Sequence, residues 1–361
     1  MSVAFTWEAW ASRVVLAPGA LAQVAEEVDR LGATRAVLIG GGRSTRVAFT
    51  RLRESLGGRV VVEITDSAQH VPQEIAGAAA ALAEQASADI VVTVGGGSAT
   101  GLGKAVAMSC HVPLITVPTS YAGSEMTPVW GRTIAGRKET GRNPDVLPRA
   151  VVYDPELCAG MPARLAAASG MNALAHCIEA FWAAGANPIT DVIATEGVRR
   201  LTTGLPRVVA DPDDVDAHAD NLIGACLAGM CFAQAGSGIH HRTCHVLGGG
   251  WNLPHAETHA VVLPHSTALV AARAARAVTR VAAVLGADNA PAALFALLKT
   301  LRLPLSLAEI GMPGSALDEA AARVAEANAG DPLAPDASEF RRMLDDAYAG
   351  RDPAELRPAR A

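Results

Sequence analysis

Short apolar runs alternate with helix-like segments through the first 155 residues, and this alternation limits the folds that the chain can adopt. The runs are rich in Val and Ile, as strands buried on both faces are. Such an alternation predicts a parallel sheet covered by helices. The predicted strands are 35–40, 59–64, 89–94, 113–117 and 150–153, and the predicted helices lie near 20–31, 45–55, 73–86 and 99–110.

The character of the sequence changes after residue 155. Ala, Leu and Met dominate there, and apolar residues recur at helical spacing. We therefore predict two domains, an α/β domain over 1–155 and an all-α domain over 156–361. The helices predicted for the second domain lie near 162–184, 189–208, 215–235, 255–275, 291–301 and 338–348.

Composition limits the kinds of binding partner and the cellular compartment that we expect for this chain. The 361-residue chain carries a formal net charge of −6, whereas a nucleic-acid or anionic-membrane binder needs a basic face. No apolar run reaches the ~18 residues of a membrane helix, and Trp7, Glu8 and Trp10 interrupt the stretch where a signal peptide would lie. Six scattered cysteines without a CxxC pair favour a reduced, cytoplasmic protein. We expect neither a nucleic-acid nor a membrane partner.

The strongest local signal is a glycine-rich loop between a predicted strand and a predicted helix, Gly95–Ser98. Glycines let the backbone approach a ligand closely, and the helix that follows offers free N–H groups to a phosphate. The P-loop motif fails because Ser98 and Ala105 stand where it requires glycine and a hydroxyl residue. The strict dinucleotide fingerprint fails as well. Phosphate binding is still favoured over a plain turn.

Two further loops follow predicted strands. Gly40–Gly42 ends the strand at 35–40, and ligands of open α/β folds bind at the carboxyl ends of strands. A plain turn explains these glycines equally well. Segment 116–127 leaves another strand with small hydroxyl residues and one tyrosine, which suits either contact with a nicotinamide or an ordinary surface connection.

Five of the ten histidines lie between residues 240 and 259. His241 and His245 are four residues apart, so a helix places them on one face, and Asn172 and His176 are related in the same way. His255 lies where a further helix is predicted to begin. Helices that each present such a pair could converge on one metal ion or one substrate.

A metallohydrolase motif is rejected. His255–His259 reads HAETH and resembles HExxH, but Glu257 is displaced by one position. On a helix that displacement rotates the carboxylate by about 100° from the place of the general base.

The order of strand, GGGS, helix, VPTS loop, Asn/His pair and HHxxxH block resembles the iron-type alcohol dehydrogenase family over nearly the whole chain. The stretches GGGSATGLGKA, VPTSYAGSEMTPVWG and HHRTCHVLGGGWNLPHAETHAVVLPH are similar to its maleylacetate reductase branch. The resemblance implies a Rossmann-like N-terminal domain, an all-α C-terminal domain and an active site in the cleft between them. It also implies a homodimer that reduces maleylacetate to 3-oxoadipate with NADH or NADPH in aromatic-compound degradation.

The same resemblance implies roles for individual residues. The cofactor pyrophosphate falls on Gly95, Gly96, Gly97 and Ser98, with Gly40 beside them, and the nicotinamide end falls near Thr116, Thr119, Tyr121 and Ser124. The metal positions of the alcohol dehydrogenases fall on Asn172, His176, His241 and His255, and the family's additional cleft histidine falls on His245.

Asn172 stands where the metal-binding pattern has aspartate, so the presence of iron or zinc stays open. Hydride addition to a C=C bond conjugated with a ketone develops an enolate, which imidazole N–H donors can stabilise. The catalytic candidates are therefore His241, His245 and His255, together with Tyr121 and Arg242.

A small dicarboxylate substrate also needs cations. Arg132, Lys138 and Arg142 are candidates beside Arg242, although each of the first three alone is typical of a solvated loop face. The choice between NADH and NADPH stays open, and Arg43, near a predicted strand end, could pair with a phosphate.

Three alternatives remain. A metal-dependent alcohol or aldehyde reductase of the same family would need tight metal binding at His176, His241 and His255. A non-redox lyase or cyclase could use the same scaffold. A non-catalytic dinucleotide-binding protein would leave the histidine block unexplained.

Overall fold

The computed structural model describes residues 5–10, 12–40, 42–65, 71–134 and 137–355. The chain forms two compact units. Residues 8–161 and 213–233 make up the first, which we name the sheet unit. Residues up to 7, 162–212 and those from 234 onward make up the second, the helical unit.

The sheet unit is built on six parallel strands in the order β1-β8-β5-β4-β2-β3. A separate antiparallel pair, β6 and β7, follows β5 in the chain. The strands are β1 Arg13–Leu16, β2 Ala36–Ile39, β3 Val60–Ile64, β4 Ile90–Gly95, β5 Leu114–Pro118, β6 Val129–Ile134, β7 Arg137–Arg142 and β8 Ala150–Tyr153. Its helices are α1 Val24–Arg30, α2 Arg46–Leu56, α3 Gln73–Gln85, α4 Gly97–Cys110 and α7 Val215–Ala235.

Alternate residues of the strands face two different cores, as the two-residue period of a strand requires. Leu38 and Val92 share a buried cluster with Leu52 of α2. Val37 and Val91, their neighbours in the chain, share the opposite cluster with residues of α3 and α4. Because both faces are covered, the central strands are continuous apolar runs, which is why the sequence predicts them.

Two features of the sheet unit were not predicted. Strand β1 lies at the sheet edge, pairs only with β8 and leaves Val14 43% exposed. The β6–β7 hairpin is polar in β7, with the sequence RKETGR. The edge position leaves β1 partly exposed although its sequence, RVVL, is apolar, and β7 lacks the apolar run that marks the central strands.

Helix α7 corrects the predicted domain organisation. The sequence assigns 215–235 to the all-α domain, but this helix belongs to the sheet unit, and the chain divides after Met161 rather than residue 155. Gly229 of α7 lies against the backbone of Gly123 with no room for a Cβ. An apolar helix does not reveal from its own sequence which core it enters.

The helical unit contains the remaining eight helices that the structure describes. Their bounds are α5 Ala163–Glu179, α6 Pro188–Ala210, α8 Ile239–Trp251, α9 His255–Ala271, α10 Ala275–Val284, α11 Ala290–Thr300, α12 Leu317–Ala327 and α13 Ala337–Ala349. Helix α9 packs against both α5 and α8. Asn252 ends α8 in the left-handed conformation, and Pro254 precedes the first residue of α9. This turn brings the histidines of α8 and α9 to neighbouring positions.

Among the described residues, no single helix is long and apolar enough to cross a membrane, and only one pair of consecutive helices reaches that length and composition jointly.

Candidate active site

The glycine-rich loop lies at the carboxyl end of β4, as predicted. Gly95 has a φ of +154°, a conformation that side chains rarely adopt, and a Cβ there would lie 2.8 Å from the Cβ of Ala99. Gly96 precedes α4, which begins at Gly97, and Ser98 is half-buried in its first turn. The first N–H groups of α4 are therefore available to an anion at this edge.

The loops after β2 and β5 lie beside this one. Gly40 has a φ of +151°, and a Cβ there would be 2.5 Å from the carbonyl oxygen of Val94. The N–H of Thr119 donates to the carbonyl of Gly95 at 3.0 Å. A cavity of about 370 Å³ is bordered by Thr119 and by residues of the β2–α2 connection, including Ser44 and Thr45. Three predicted ligand loops thus share one sheet edge.

Other predicted cofactor residues are placed differently. Thr116 lies inside β5, opposite Thr93, and is fully buried. It does not reach the accessible edge, because the strand continues to Pro118. Tyr121 is also fully buried, and its hydroxyl lies 2.5 Å from Nδ1 of His218 on α7. Burial raises the pKa of Tyr121. Because its side chain is buried and bonded to His218, Tyr121 is better placed to position neighbouring residues than to contact a substrate.

A buried lysine joins the glycine-rich helix to the loop that follows β5. Nζ of Lys104 on α4 donates to the carbonyls of Ser124, Thr127 and Val129 at 2.6, 2.8 and 2.7 Å. Burial lowers the pKa of Lys104 to about 7, against the opposing effect of Glu125. Ser124, which is predicted to lie near the nicotinamide, therefore contributes to this connection through its backbone carbonyl oxygen.

The helical unit brings the predicted histidines together. The rings of His176 on α5 and His241 on α8 stack with centroids 4.2 Å apart. The exposed rings of His245 and His255 stack at 6.1 Å, and the ring of His241 lies 6.4 Å from that of His245. His259 on α9 lies 4.8 Å from His241 and 4.6 Å from His255. We name these five residues the histidine cluster.

A buried carboxylate orients the cluster. Glu179 Oε2 accepts from Nδ1 of His241 at 2.5 Å, and Oε1 accepts from the backbone N–H of His240 at 2.7 Å. Burial alone would raise the pKa of Glu179, but the two histidines and a backbone hydrogen bond together lower it to about 2. With the Nδ1 hydrogen held by a carboxylate, a neutral His241 presents a lone pair at Nε2.

Beneath the cluster lies a hydrogen-bonded chain of buried side chains. His240 Nε2 and His259 Nδ1 are 2.9 Å apart, and His240 Nδ1 is 2.9 Å from Oγ of Ser266. Burial lowers the pKa of His240 to about 3 and that of His259 well below its usual value. Both imidazoles are therefore neutral near pH 7.

Arg242, which the sequence predicts to be catalytic, has structural partners in the helical unit. Its guanidinium donates to Oδ2 of Asp331 at 2.9 Å and to the carbonyl of Ser237 at 3.0 Å. The ion pair with Asp331 commits the guanidinium to a structural contact, and a catalytic role for Arg242 stays a prediction.

The other predicted cations also have structural partners where their side chains are described. Arg132 lies 5.2 Å over the ring of Trp130, and Arg142 donates to the carbonyl of Ala233. The side chain of Lys138 lies outside the described residues. Glu257, the rejected general base, accepts from Arg164 at 2.6 Å.

Comparison with known proteins identifies the family. Residues 11–155 match the model described as iron-containing alcohol dehydrogenase, and residues 166–348 match the C-terminal model of the Fe-containing alcohol dehydrogenase family. The chain belongs to the iron-containing alcohol dehydrogenase family. The parallel-sheet α/β domain and the helical C-terminal domain predicted from the sequence are confirmed as the fold of this family.

Relatives within the iron-containing alcohol dehydrogenase family include named reductases. Maleylacetate reductase of Burkholderia cepacia is 43% identical over 350 residues, covering 97% of this chain and 99% of that protein. Maleylacetate reductase 1 of Rhodococcus opacus is 40% identical over 344 residues, covering 95% and 96%. The solved maleylacetate reductase of Agrobacterium tumefaciens superposes with a TM-score of 0.91 at 39% identity, covering 98% of this chain and 100% of that one.

A family metal would fall on Asn172, His176, His241 and His255, and the residues present fit a divalent ion. Asn172 Oδ1 is buried and accepts no hydrogen bond from any residue that the structure describes. It thus offers an oxygen donor beside imidazole nitrogens, the donor types that iron and zinc accept. Neither an amide oxygen nor an imidazole carries a negative charge, so the negative charge beside this set is that of Glu179, which lies behind His241.

Several residues of the site were not predicted. Glu179 lies three residues after His176 on α5, and His259 lies four residues after His255 on α9, so both share a helix face with a predicted residue. This helical spacing was the sequence signal that could have indicated Glu179 and His259 as site residues. Lys104 and His218 offered no comparable pattern, because their partners lie elsewhere in the chain.

Proposed function

We propose that this chain is an NAD(P)H-dependent reductase that converts maleylacetate to 3-oxoadipate. The observation that carries the proposal is the identity of about 40% to several maleylacetate reductases over nearly the whole chain. The arrangement of the sites agrees with it, because the glycine loops suit a dinucleotide and the histidine cluster offers N–H donors to a developing enolate.

The sheet unit would hold the cofactor. The N–H groups at the start of α4, at Gly97 and Ser98, would bind the pyrophosphate, and Gly40 and Gly95 leave room for its close approach. The bound dinucleotide supplies a hydride. The Lys104 clamp keeps the loop after β5 in one position relative to α4.

The helical unit would bind the substrate and manage the proton. Hydride adds to the alkene carbon that is β to the ketone, the C=C electron pair moves to form the enolate, and a proton joins the carbon between them. His245 and His255 are exposed, so they can reach a substrate, whereas His241 is held from behind by Glu179. We assign proton donation and enolate stabilisation to these exposed imidazoles.

A divalent metal held by Asn172, His176, His241 and His255 would supply Lewis-acid polarisation of a carbonyl when bound. An enolate is less basic than an alkoxide, so its stabilisation demands less of that polarisation. The neutral donor set is therefore compatible with the proposed reaction.

The test is NADH and NADPH oxidation, followed by absorbance with maleylacetate as substrate, in protein pretreated with a chelator. Rapid oxidation with equimolar 3-oxoadipate is the expected result. His245→Ala and His255→Ala should each lower kcat/KM by about 10²-fold or more, the usual contribution of a general acid. Absence of oxidation, also after addition of iron or zinc, contradicts the proposal.

A metal-dependent alcohol or aldehyde reductase is the second candidate, favoured by the fit of Asn172 and the histidines to a divalent ion. It predicts activity with simple aldehydes that is lost on chelation and restored by the metal. Bound nucleotide without net NAD(P)H consumption would instead indicate non-redox chemistry.

We further propose that the enzyme works in the cytoplasm as a homodimer on a small dicarboxylate. The six cysteines, none of which forms a disulfide in the described part of the chain, support a reducing compartment. The unpaired edge strand β1, with Val14 exposed, is a surface that a second copy could cover.

A further inference from the structure

His259 has an unexplained nitrogen. Its side chain is fully buried, and Nε2 makes no hydrogen bond within the part of the chain that the structure describes. Buried polar atoms in folded proteins almost always have a hydrogen-bond partner or a ligand, so such an atom calls for one.

The hydrogen bonds around His259 assign the state of this nitrogen. Ser266 donates its hydroxyl hydrogen to the carbonyl of Leu263 at 3.1 Å, so its oxygen accepts from Nδ1–H of His240. Nε2 of the neutral His240 then accepts from Nδ1–H of His259. Since a neutral imidazole carries one hydrogen, Nε2 of His259 presents a lone pair.

The surroundings of this lone pair point to a metal ion. The two nitrogens of an imidazole diverge, so Nε2 faces away from His240, while the rings of His255 and His241 lie at 4.6 and 4.8 Å. A dicarboxylate carbon skeleton cannot contact an atom closed to water, but a single ion of small radius can. Asn172 Oδ1 is buried and unpaired in the same manner.

Cys244 does not form an alternative site with these two histidines. Its sulfur lies 3.7 Å from Nε2 of His240, and three such atoms within 4.8 Å could suit a soft cation. However, Nε2 of His240 and Nδ1 of His259 share one hydrogen, so both are already committed.

We propose that His259 is a further nitrogen donor to a divalent metal held at the histidine cluster, where it adds a donor to the neutral set that contains Asn172. The inference rests on the metal position proposed above and not on the identity of the substrate. Ser266 and His240 act as positioning residues, because they hold the lone pair of His259 at Nε2.

The experiment titrates chelator-stripped protein with Co²⁺, using calorimetry for the Kd and visible absorption for the coordination number. The wild-type chain should bind one ion. His259→Leu should weaken the Kd by at least about 100-fold, and Ser266→Ala should weaken it less, by about tenfold, because it leaves the donor nitrogen in place and removes only an outer partner.

His265→Leu is the matched control. His265 lies on the same helix, is buried, and neither of its ring nitrogens is hydrogen-bonded to a described residue, but its ring neighbour is Phe295. Its loss should leave the Kd within about twofold of wild type, since it is not part of the donor set.

Three results would overturn the proposal: no Co²⁺ binding by the wild type, a wild-type Kd and spectrum in His259→Leu, or an equal weakening in the His265→Leu control. If His259→Leu does not fold, Ser266→Ala decides, and an unchanged Kd there counts against the assignment. Neither readout depends on reductase activity, so a failed maleylacetate assay and a failed metal inference are separate outcomes.

Discussion

At the scale of single residues, the histidine cluster depends on one carboxylate that lies in the same helix as His176. Glu179 is buried, ionised and bonded to both His240 and His241. A buried charge costs several kcal/mol unless it is paired, and this anion is paired with the imidazole of His241 and the backbone N–H of His240. Partners of this kind set the ring orientation and tautomer of a functional histidine.

Replacing Glu179 therefore tests its positioning role. Glu179→Gln keeps the shape but removes the charge that holds Nδ1–H of His241, so kcat/KM should fall about 10–100-fold. The pH profile should shift as well, since His241 loses its anion. Glu196→Gln is the control, because Glu196 also has a pKa of about 2 but pairs with Arg199 and Arg200 on an exposed face. Equal effects of both variants would contradict this role.

The buried His265 leads to a prediction of how the free energy of unfolding depends on pH. Burial lowers its pKa to about 4 in the folded chain, against a slight opposing effect of Asp352, while the unfolded value is near 6.5. The unfolded chain thus binds more protons between these values, and the free energy of unfolding falls as the pH drops through that window. The loss from pH 7 to 5 should be about 2 kcal/mol for this group. Urea unfolding at both pH values should show a smaller loss in His265→Leu.

At the scale of elements, the phosphate-binding edge depends on how α4 and the loop after β5 are joined. Lys104 is one of three lysines in the sequence, and its ammonium contacts three backbone carbonyls of that loop. The nearby Glu125 accepts from Tyr153 at 2.9 Å. One side chain therefore links the middle of α4 to the nicotinamide side of the predicted cofactor site.

Lys104→Met should destabilise the fold by about 1–3 kcal/mol, the cost of leaving buried carbonyls without their donor. The KM for the cofactor should rise more than kcat falls. Lys299→Met is the matched control, since Lys299 is half-exposed and its nearest acid, Asp352, is 3.4 Å away. That variant should stay within about 0.5 kcal/mol of wild type. Chemical unfolding and cofactor titration measure both effects.

The connection from β2 to α2 bears on cofactor choice. Residues 40–44 read GGGRS, so the acidic residue that commonly holds the ribose 2′-hydroxyl of NAD is missing there. We expect NADPH to be used at least as well as NADH. Arg43→Ala should lower kcat/KM for NADPH about tenfold, or 1.4 kcal/mol, and leave NADH nearly unchanged. Arg53→Ala, at a residue 3.9 Å from Glu63, should change neither.

At the scale of the whole molecule, no disulfide bond between the described cysteines stabilises the fold. None of the six, all of which the structure describes, forms a disulfide; five of them are buried, and Cys110 is half-buried. Burial raises the pKa of Cys110 as well, so its thiol reacts slowly. Ellman's reagent should titrate at most one thiol in the native protein and six after denaturation, and a reducing agent should leave the Tm unchanged. A reducible thermal transition would contradict this reading.

The sequence by itself determined the elements that depend on local periodicity. The central strands, the helices between them and the glycine-rich turn after β4 appear within a few residues of their predicted bounds. Helical spacing likewise placed His241 and His245 on one face. These features are local because a strand or helix repeats every two or 3.6 residues, so short windows carry the pattern.

Only the tertiary structure decided which faces meet. It placed α7 with the sheet unit, turned Arg242 toward Asp331, and brought Glu179 and His259 to the predicted histidines. Glu179 on α5 and His259 on α9 reach these histidines because α9 packs against both α5 and α8, and α5 lies far from the other two helices in the chain. A periodic pattern shows that a helix has an apolar face, but it carries no information about the side chains that will cover that face.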